Sequence, residues 1–211
     1  MKRIYAASAL ALTAALLGGI GLSILWGRAN QDPDIFAQCR TTQVAGGTDS
    51  IGGPFELVSE TGETVTDADI ITAPTLIYFG YTFCPDVCPL DNARNAIAVE
   101  ILEEQGRMVT PVFISIDPER DTPEVLQAFT DHLHPRMIGL TGSIEQTTAA
   151  SQAYRTFFNL QEPDEDGFYL VDHSTFTYLV LPDYGFVEFF RRDDTPEDMA
   201  ERISCFMDAA A

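Results

Sequence analysis

The chain has 211 residues, of which 45% are hydrophobic, so it can bury a core and is not disordered over most of its length. It carries 12 basic and 32 acidic residues, a net charge of −20. Three basic residues, Lys2, Arg3 and Arg28, flank the first apolar run, so 9 basic and 32 acidic residues follow it. This acidic part repels nucleic acid and anionic lipid headgroups. It suits a soluble domain that either attracts cations or uses its charge for solubility alone.

The N-terminal segment is predicted to be a membrane anchor at 1–28. Residues 4–27 carry no charge, and about 20 apolar residues span a bilayer. No convincing small-x-small cleavage site precedes Arg28, which favours an uncleaved helix, and a cleaved signal peptide is the alternative. Lys2 and Arg3 place the N terminus in the cytoplasm. With only three residues before the apolar run, we expect a single-pass protein of the bacterial inner membrane with its domain in the periplasm.

Residues 29–54 are polar and rich in glycine, and they are predicted to link the anchor to one domain at 55–208. Strands are predicted at 55–58, 75–81, 109–116, 138–140, 168–171, 175–181 and 186–190. Helices are predicted at 89–104, after the caps Thr122 and Thr195, and from the cap Ser143 to about 157; the last one reaches about 207. In the helix 89–104, Leu90, Ala93, Ile97 and Ile101 share one face. This order predicts an α/β fold, a thioredoxin-like mixed sheet flanked by helices.

The motif Phe83-Cys84-Pro85-Asp86-Val87-Cys88-Pro89 follows a buried strand and opens a helix. Cysteines four apart can lie on one side of a helical turn, so their sulfurs converge. The unpaired N–H groups of a helix N terminus favour thiolate over thiol. Two thiolates there indicate a Cu(I) site or a redox pair, and a plain disulfide or two buried cysteines is the less favoured alternative.

His173 is the best candidate for a third ligand. It precedes a buried strand, and in a thioredoxin-like sheet the loop that enters this strand lies beside the cysteine turn. Two thiolates and one imidazole suit copper, whereas zinc would usually need a fourth ligand. Asp172 is a candidate to orient the imidazole, and Asp86 is a candidate contributor to a Cu(II) site, although a turn-forming role is favoured for it.

The two other histidines, His132 and His134, lie at the end of a predicted helix. We expect them to be solvated and to have no ligand role.

The chain strongly resembles the SCO/SenC copper proteins. The resemblance is carried by TLIYFGYTFCPDVCP (75–89), VFISIDPERDTPEVL (112–126), MIGLTGS (137–143) and YLVDHSTFTYLV (169–180). It implies a thioredoxin-like fold and a copper site made of Cys84, Cys88 and His173. It also implies a role in assembling the dinuclear copper centre of cytochrome c oxidase subunit II. That subunit is then the expected partner, together with a periplasmic copper donor or thiol reductant.

Two functions follow as hypotheses. The first is a copper metallochaperone, and the second is a thiol–disulfide oxidoreductase that uses Cys84 and Cys88 to reduce the cysteines of the same subunit. A general thioredoxin is disfavoured, because three residues separate the cysteines and no proline lies between Pro163 and Pro182.

Two further cysteines, Cys39 and Cys205, lie outside the motif. In an oxidising compartment they could pair, and otherwise Cys205 is a buried apolar residue and Cys39 is free.

Overall fold

A computed structural model describes residues 17–23, 34–42, 44 and 46–211, and the chain divides into two compact units, Met1–Ile35 and Phe36–Ala211. In the first unit, residues 17–23 are helical. Among the described residues, no helix combines the length and the apolar character needed to cross a bilayer. The predicted anchor at 1–28 otherwise lies outside the described residues, and so do parts of the linker predicted at 29–54.

The described part of the second unit has nine strands and five α-helices after a short 3₁₀ turn at Thr48–Ser50. In chain order these are β1 (Glu56–Ser59), β2 (Thr64–Thr66), α1 (Asp67–Ile70), β3 (Thr75–Gly80), α2 (Val87–Glu104), β4 (Thr110–Ser115), α3 (Pro123–Leu133), β5 (Ile138–Thr141), α4 (Ile144–Ala153), β6 (Phe158–Leu160), β7 (Val171–His173), β8 (Thr177–Leu181), β9 (Gly185–Phe190) and α5 (Pro196–Ala210).

The main sheet has seven strands in the order β2-β1-β5-β4-β3-β8-β9, and β6 and β7 form a separate two-stranded sheet. Strands β3, β4 and β5 are parallel, whereas β8 runs antiparallel to β3. The mixed sheet and its helices match the predicted thioredoxin-like order. The antiparallel pairing of β3 with β8 has a direct consequence for the site. Because of this pairing, the start of β8 lies beside the end of β3.

Both faces of the main sheet are buried, as the alternating side chains of β8 show. Tyr178 and Val180 join a cluster that includes residues of α3 and α4, while Leu179 and Leu181 join a cluster with residues of α2 and α5. The helices therefore lie on both faces of the sheet. Burial on both faces explains why β3 and β8 read as continuous apolar or β-branched runs in the sequence.

The predicted helix caps are confirmed. The side chains of Thr122, Ser143 and Thr195 accept hydrogen bonds from the N–H groups of Val125, Gln146 and Asp198, and these bonds begin α3, α4 and α5.

The prediction of other elements was less accurate. The helix predicted to reach 157 ends at Ala153, and Arg155 has a positive φ of 52° that redirects the chain into β6. Strands β2 and β6 and helix α1 were not predicted. In α2 the face of Leu90 and Ile97 is exposed instead of buried.

The compact unit begins earlier than the predicted boundary at residue 55. Phe36 and Cys39 are buried in the cluster with α2 and α5, and Cys39 forms a disulfide with Cys205 of α5. The N–H of Thr41 and the hydroxyl of Thr42 donate to the carboxylate of Glu188, which is buried in β9. The segment predicted as a linker is therefore packed on the domain at residues 36–42.

Candidate metal centre

The two cysteines of the motif lie between the end of β3 and the first turn of α2. The helix begins at Val87, two residues before the predicted start, because Asp86 has the non-helical backbone of an N-cap residue. Both Cys84 and Cys88 are buried and are free thiols. The N–H of Cys88 donates to the sulfur of Cys84 over 3.3 Å, so an otherwise unpaired helix N–H group faces that sulfur.

The glycine that ends β3 makes room for the second sulfur. A Cβ atom placed on Gly80 would lie 2.9 Å from Sγ of Cys88, closer than real Cβ contacts allow. The absence of a side chain at this position thus lets the first turn of α2 pack directly on the strand.

His173 reaches the cysteines from β7. Its Nε2 lies 3.3 Å from Sγ of Cys88, and its Nδ1 lies 2.8 Å from the carbonyl oxygen of Ser174. Because a carbonyl oxygen can only accept, Nδ1 carries the hydrogen in this arrangement. Nε2 then has a free lone pair directed toward the sulfurs, which is the tautomer that a metal requires.

Two aromatic rings fix the plane of this imidazole. The rings of Tyr78 and Tyr81 stand edge-on to the ring of His173, at centroid distances of 6.2 and 5.9 Å. The hydroxyl of Tyr81 also accepts the N–H of Val171, two residues before His173. Neither tyrosine was predicted to be part of the site.

The two carboxylates suggested for the site do not contact its ligand atoms. Asp172 is exposed and accepts a hydrogen bond from Gln161, and the partner of the second ring nitrogen is the Ser174 carbonyl instead. Main-chain carbonyls carry no signature in the sequence, so Ser174 was not predicted as the partner of this nitrogen. Asp86 is exposed at the N-cap and is not in the group of converging ligand atoms.

The two thiols have opposite acidities. The pKa of Cys84 is lowered to about 3, because the thiol of Cys88 and the N–H groups of Asp86 and Cys88 donate to its thiolate. The pKa of Cys88 is raised, first because its thiol donates to the Cys84 thiolate and second because it is buried. The negative charge of the pair is therefore favoured on Cys84.

The ligand atoms of Cys84, Cys88 and His173 lie within 4.8 Å of one another. Three ligands placed trigonally at the roughly 2.3 Å typical of a metal–sulfur bond would be about 4 Å apart. The distances found bracket this value, from the 3.3 Å between Cys88 and His173 up to the 4.8 Å limit. Two sulfurs and one imidazole nitrogen are ligands of a soft or borderline ion, so the three residues fit copper.

The remaining histidines lie elsewhere. His132 is exposed, as expected. The expectation that His134 is solvated was wrong, because it is buried, with Nε2 3.3 Å from Glu103 and Nδ1 accepting the N–H of Arg136. Neither belongs to a cluster of potential metal ligands among the described residues.

The order of elements and the Cys-Cys-His geometry can be compared with known proteins. The SCO1/SenC family model matches residues 43–208. The chain belongs to the SCO1/SenC family. Protein SenC of Rhodobacter capsulatus is 53% identical to this SCO1/SenC chain over 202 residues, which cover 96% of the chain and 90% of that protein. The human mitochondrial SCO1 homolog is 39% identical over 159 residues, which cover 74% of the chain and 53% of that protein. The chain thus spans about half the length of this mitochondrial relative.

Solved SCO1/SenC structures share the fold. Arabidopsis thaliana ScoI with copper bound has a TM-score of 0.71 and 39% identity, covering 75% of this chain and 99% of that one. Yeast Sco1 with copper bound has a TM-score of 0.71 and 34% identity, covering 75% and 89%. BsSco, described as a member of the Sco family of cytochrome c oxidase assembly proteins, is 23% identical with a TM-score of 0.62, so it supports the fold.

Proposed function

We propose that this protein is a copper metallochaperone that holds its cargo through Sγ of Cys84, Sγ of Cys88 and Nε2 of His173. The observation that carries this proposal is the convergence of these three soft and borderline donors within 4.8 Å. Cys84 supplies a thiolate before the metal arrives, Cys88 releases its proton on binding, and His173 already has the tautomer that leaves Nε2 free. Relatives of known structure that hold copper support the choice of metal.

The surroundings of the site suit transfer to another protein. Three large apolar side chains beside it are exposed: Phe83 precedes Cys84, Leu90 follows Cys88 by two residues, and Phe157 pairs through its backbone with Ser174. Exposed apolar groups of this kind are typical of contact surfaces for protein partners. A site with three ligands also leaves room for a ligand from the recipient, so the cargo can pass without first being released to water.

We further propose that the recipient is the dinuclear copper centre of cytochrome c oxidase subunit II. The support is membership of the SCO1/SenC family and the description of BsSco as a cytochrome c oxidase assembly protein. A periplasmic copper donor is then required to load the site.

The low pKa of Cys84 favours a second candidate function, reduction of a disulfide in that same subunit. The Cys84 thiolate would attack one sulfur of the target disulfide, forming a mixed disulfide and releasing the other target sulfur as a thiolate. Cys88, after losing its proton, would attack the Cys84 sulfur and release the second target thiolate. The target gains two electrons, the chain is left with a Cys84–Cys88 disulfide, and a thiol reductant must restore it.

The location proposed for the domain is the periplasm, with residues 1–28 as a single anchor in the bacterial inner membrane. The disulfide between Cys39 and Cys205 supports an oxidising compartment, since such bonds are rare in the cytosol. The apolar and uncharged character of residues 4–27 supports the anchor.

Two reactions distinguish the candidate functions. In the first, the full chain in detergent is loaded with Cu(I) and mixed with the reduced, copper-free periplasmic domain of subunit II, the two proteins are separated, and the copper bound to each is measured. In the second, the reduced, copper-free chain is mixed with the oxidised subunit, and the thiols that the subunit gains are counted by mass spectrometry after alkylation. The metallochaperone hypothesis predicts copper transfer in the first reaction that is lost in His173→Ala. Reduction of the subunit in the second reaction, with no transfer in the first, would favour the reductase.

A further inference from the structure

The metal ligands come from two separate parts of the chain, and something must hold those parts together. The cysteine arm, residues 81–88, leaves β3 and enters α2. The histidine arm, residues 161–173, ends in β7, whose only strand partner in the described structure is β6, outside the main sheet. Residues 161–168 of this arm are exposed. The position of His173 therefore depends on a few contacts beyond the sheet.

One side chain, Arg120, contacts both arms. The centre of its guanidinium lies 3.6 Å from the ring centroid of Tyr169, on the histidine arm. It also lies 5.0 Å from the ring centroid of Phe83 and 5.7 Å from that of Tyr81, both on the cysteine arm. Its Nη1 donates to the carbonyl oxygen of Tyr169 over 3.0 Å. A planar cation can stack on a ring and donate in its own plane at the same time, which a lysine ammonium cannot do.

The segment that carries Arg120 is itself anchored to the core. Asp117 is fully buried, pairs with Nε of Arg120 and accepts the hydroxyl of Tyr169 over 2.8 Å. Asp121, also fully buried, accepts the N–H and the hydroxyl of Thr82 on the cysteine arm and the hydroxyl of Ser115 at the end of β4. The turn 117–121 therefore holds the cysteine arm through Asp121 and the histidine arm through Arg120.

We infer that Arg120 is a positioning residue that holds His173 in place for metal binding. This inference rests on the proposed copper site and adds to it the group that keeps the imidazole beside the two sulfurs. Without Arg120, Tyr169 loses the cation above its ring and the donor to its carbonyl and keeps its hydroxyl bond to Asp117, so the histidine arm is held less firmly. The two thiolates remain on the cysteine arm, because Thr82 stays bound to Asp121. The S₂N site then becomes a dithiolate site.

The test compares Arg120→Gln and Arg120→Lys with the matched control Arg136→Gln in the full chain. Arg136 also joins an acidic side chain, Glu103, and a main-chain carbonyl, that of Val109. Glu103 lies 16 residues beyond the start of α2, about 24 Å from the site at 1.5 Å per residue. The control thus removes a similar arginine far from the arms.

Three measurements are made on each variant. Hydrogen exchange of the reduced, copper-free protein over 168–176 measures how often the histidine arm opens. X-ray absorption of the Cu(I) form shows whether an imidazole is bound to the copper. Competition with a chelator measures the affinity for Cu(I). Arg120→Gln should raise the hydrogen-exchange rate at least about tenfold and remove the imidazole scattering. It should also weaken Cu(I) binding by about 10- to 100-fold, which is the usual effect of losing a residue that orients a metal ligand. Arg120→Lys should resemble Arg120→Gln, and Arg136→Gln should match the wild type in all three.

A second variant keeps the inference testable if Arg120→Gln folds poorly. Tyr169→Leu removes the ring under the guanidinium and the hydroxyl bond to Asp117 but leaves the ion pair of Arg120 with Asp117, and it should also raise exchange over 168–176 and remove the imidazole scattering. Unchanged exchange and scattering in Tyr169→Leu, or equal effects in Arg136→Gln, would overturn the inference. A wild-type chain that binds no copper would refute the proposed function. The effect of Arg120 on the histidine arm could still be tested in that case, because hydrogen exchange is measured without copper.

Discussion

The disulfide between Cys39 and Cys205 should contribute a large share of the stability of the domain. The bond joins residues 166 positions apart. In the chain-entropy model, closing so long a loop in the unfolded state is worth about 5 kcal/mol. A domain is usually stable by only about 5–15 kcal/mol, so loss of the bond removes a third or more of that free energy. For a domain of this size the melting temperature should fall by about 10–20 °C.

The single and double variants provide the sharpest assay. Either Cys39→Ala or Cys205→Ala breaks the bond alone, so each should lose most of the stabilisation, and the double variant should lose little more. Urea unfolding of all three, monitored by circular dichroism, gives the free energies, and the double-mutant cycle gives the coupling. Cys39 is buried beside Phe36, so a small additional loss from its missing sulfur is expected in the variants that lack it.

Two results would refute this reasoning. The first is a loss of less than about 1 kcal/mol in the free energy of unfolding of the double variant, which would mean that the unfolded chain gains little conformational entropy when the disulfide is removed. The second is additivity of the single variants, which would mean that each cysteine acts through its own packing and not through a shared bond.

Other predictions concern the site and the buried charges. The alkylation rate of Cys84 in the reduced protein should stay nearly flat from pH 5 to pH 8, because its pKa is lowered to about 3; an ordinary cysteine speeds up about tenfold per pH unit in this range, and such a rise would contradict the thiolate assignment. Gly80→Ala should cost about 1–3 kcal/mol in unfolding experiments and also weaken Cu(I) binding in a chelator competition, because the new Cβ displaces the sulfur of Cys88; an unchanged copper affinity would show that the sulfur can move freely. Glu188→Ala should cost about 3 kcal/mol in urea unfolding, because it leaves the side chain of Arg202 largely buried without its Glu188 partner; a loss below about 1 kcal/mol would show that the remaining pair with Asp194 suffices.

The grouping of the three candidate ligands could be predicted from the sequence. Cys84 and Cys88 lie four apart at a strand–helix junction, and the order of elements places the entrance to β8, and so His173, beside them. The antiparallel pairing of β3 with β8 is the physical reason, and it follows from the predicted topology.

The residues behind the ligands could not be predicted in the same way. The inward face of α2 near the site contains Asp91, Asn92 and Asn95, which are buried because each has a hydrogen-bond partner. Such residues interrupt the apolar spacing from which an inward helix face is predicted, so the apolar face predicted for this helix was the one of Leu90 and Ile97. Hydrogen-bond partners decide the burial of a polar side chain, and these partners are known only once the chain is folded.

The N-terminal boundary of the domain was predicted wrongly for a related reason. Residues 36–42 are polar overall and have no periodic pattern, so they read as a linker. Their place in the domain is fixed by one apolar ring, one disulfide and two donors to Glu188, and the disulfide and the two hydrogen bonds join residues at least 146 positions apart. Long-range pairing of this kind leaves no local signal.

The central claim is that Cys84, Cys88 and His173 form one copper site. The most direct test is an anaerobic titration of the reduced full chain with Cu(I) against a competing chelator, with Cys84→Ala, Cys88→Ala and His173→Ala beside it and His132→Ala as the control. The account predicts one tightly bound copper per chain, a large loss of affinity in each of the three variants and no change in the control. A wild-type affinity in His173→Ala would contradict the three-ligand site, and an absence of tight copper in the wild type would contradict the metallochaperone function.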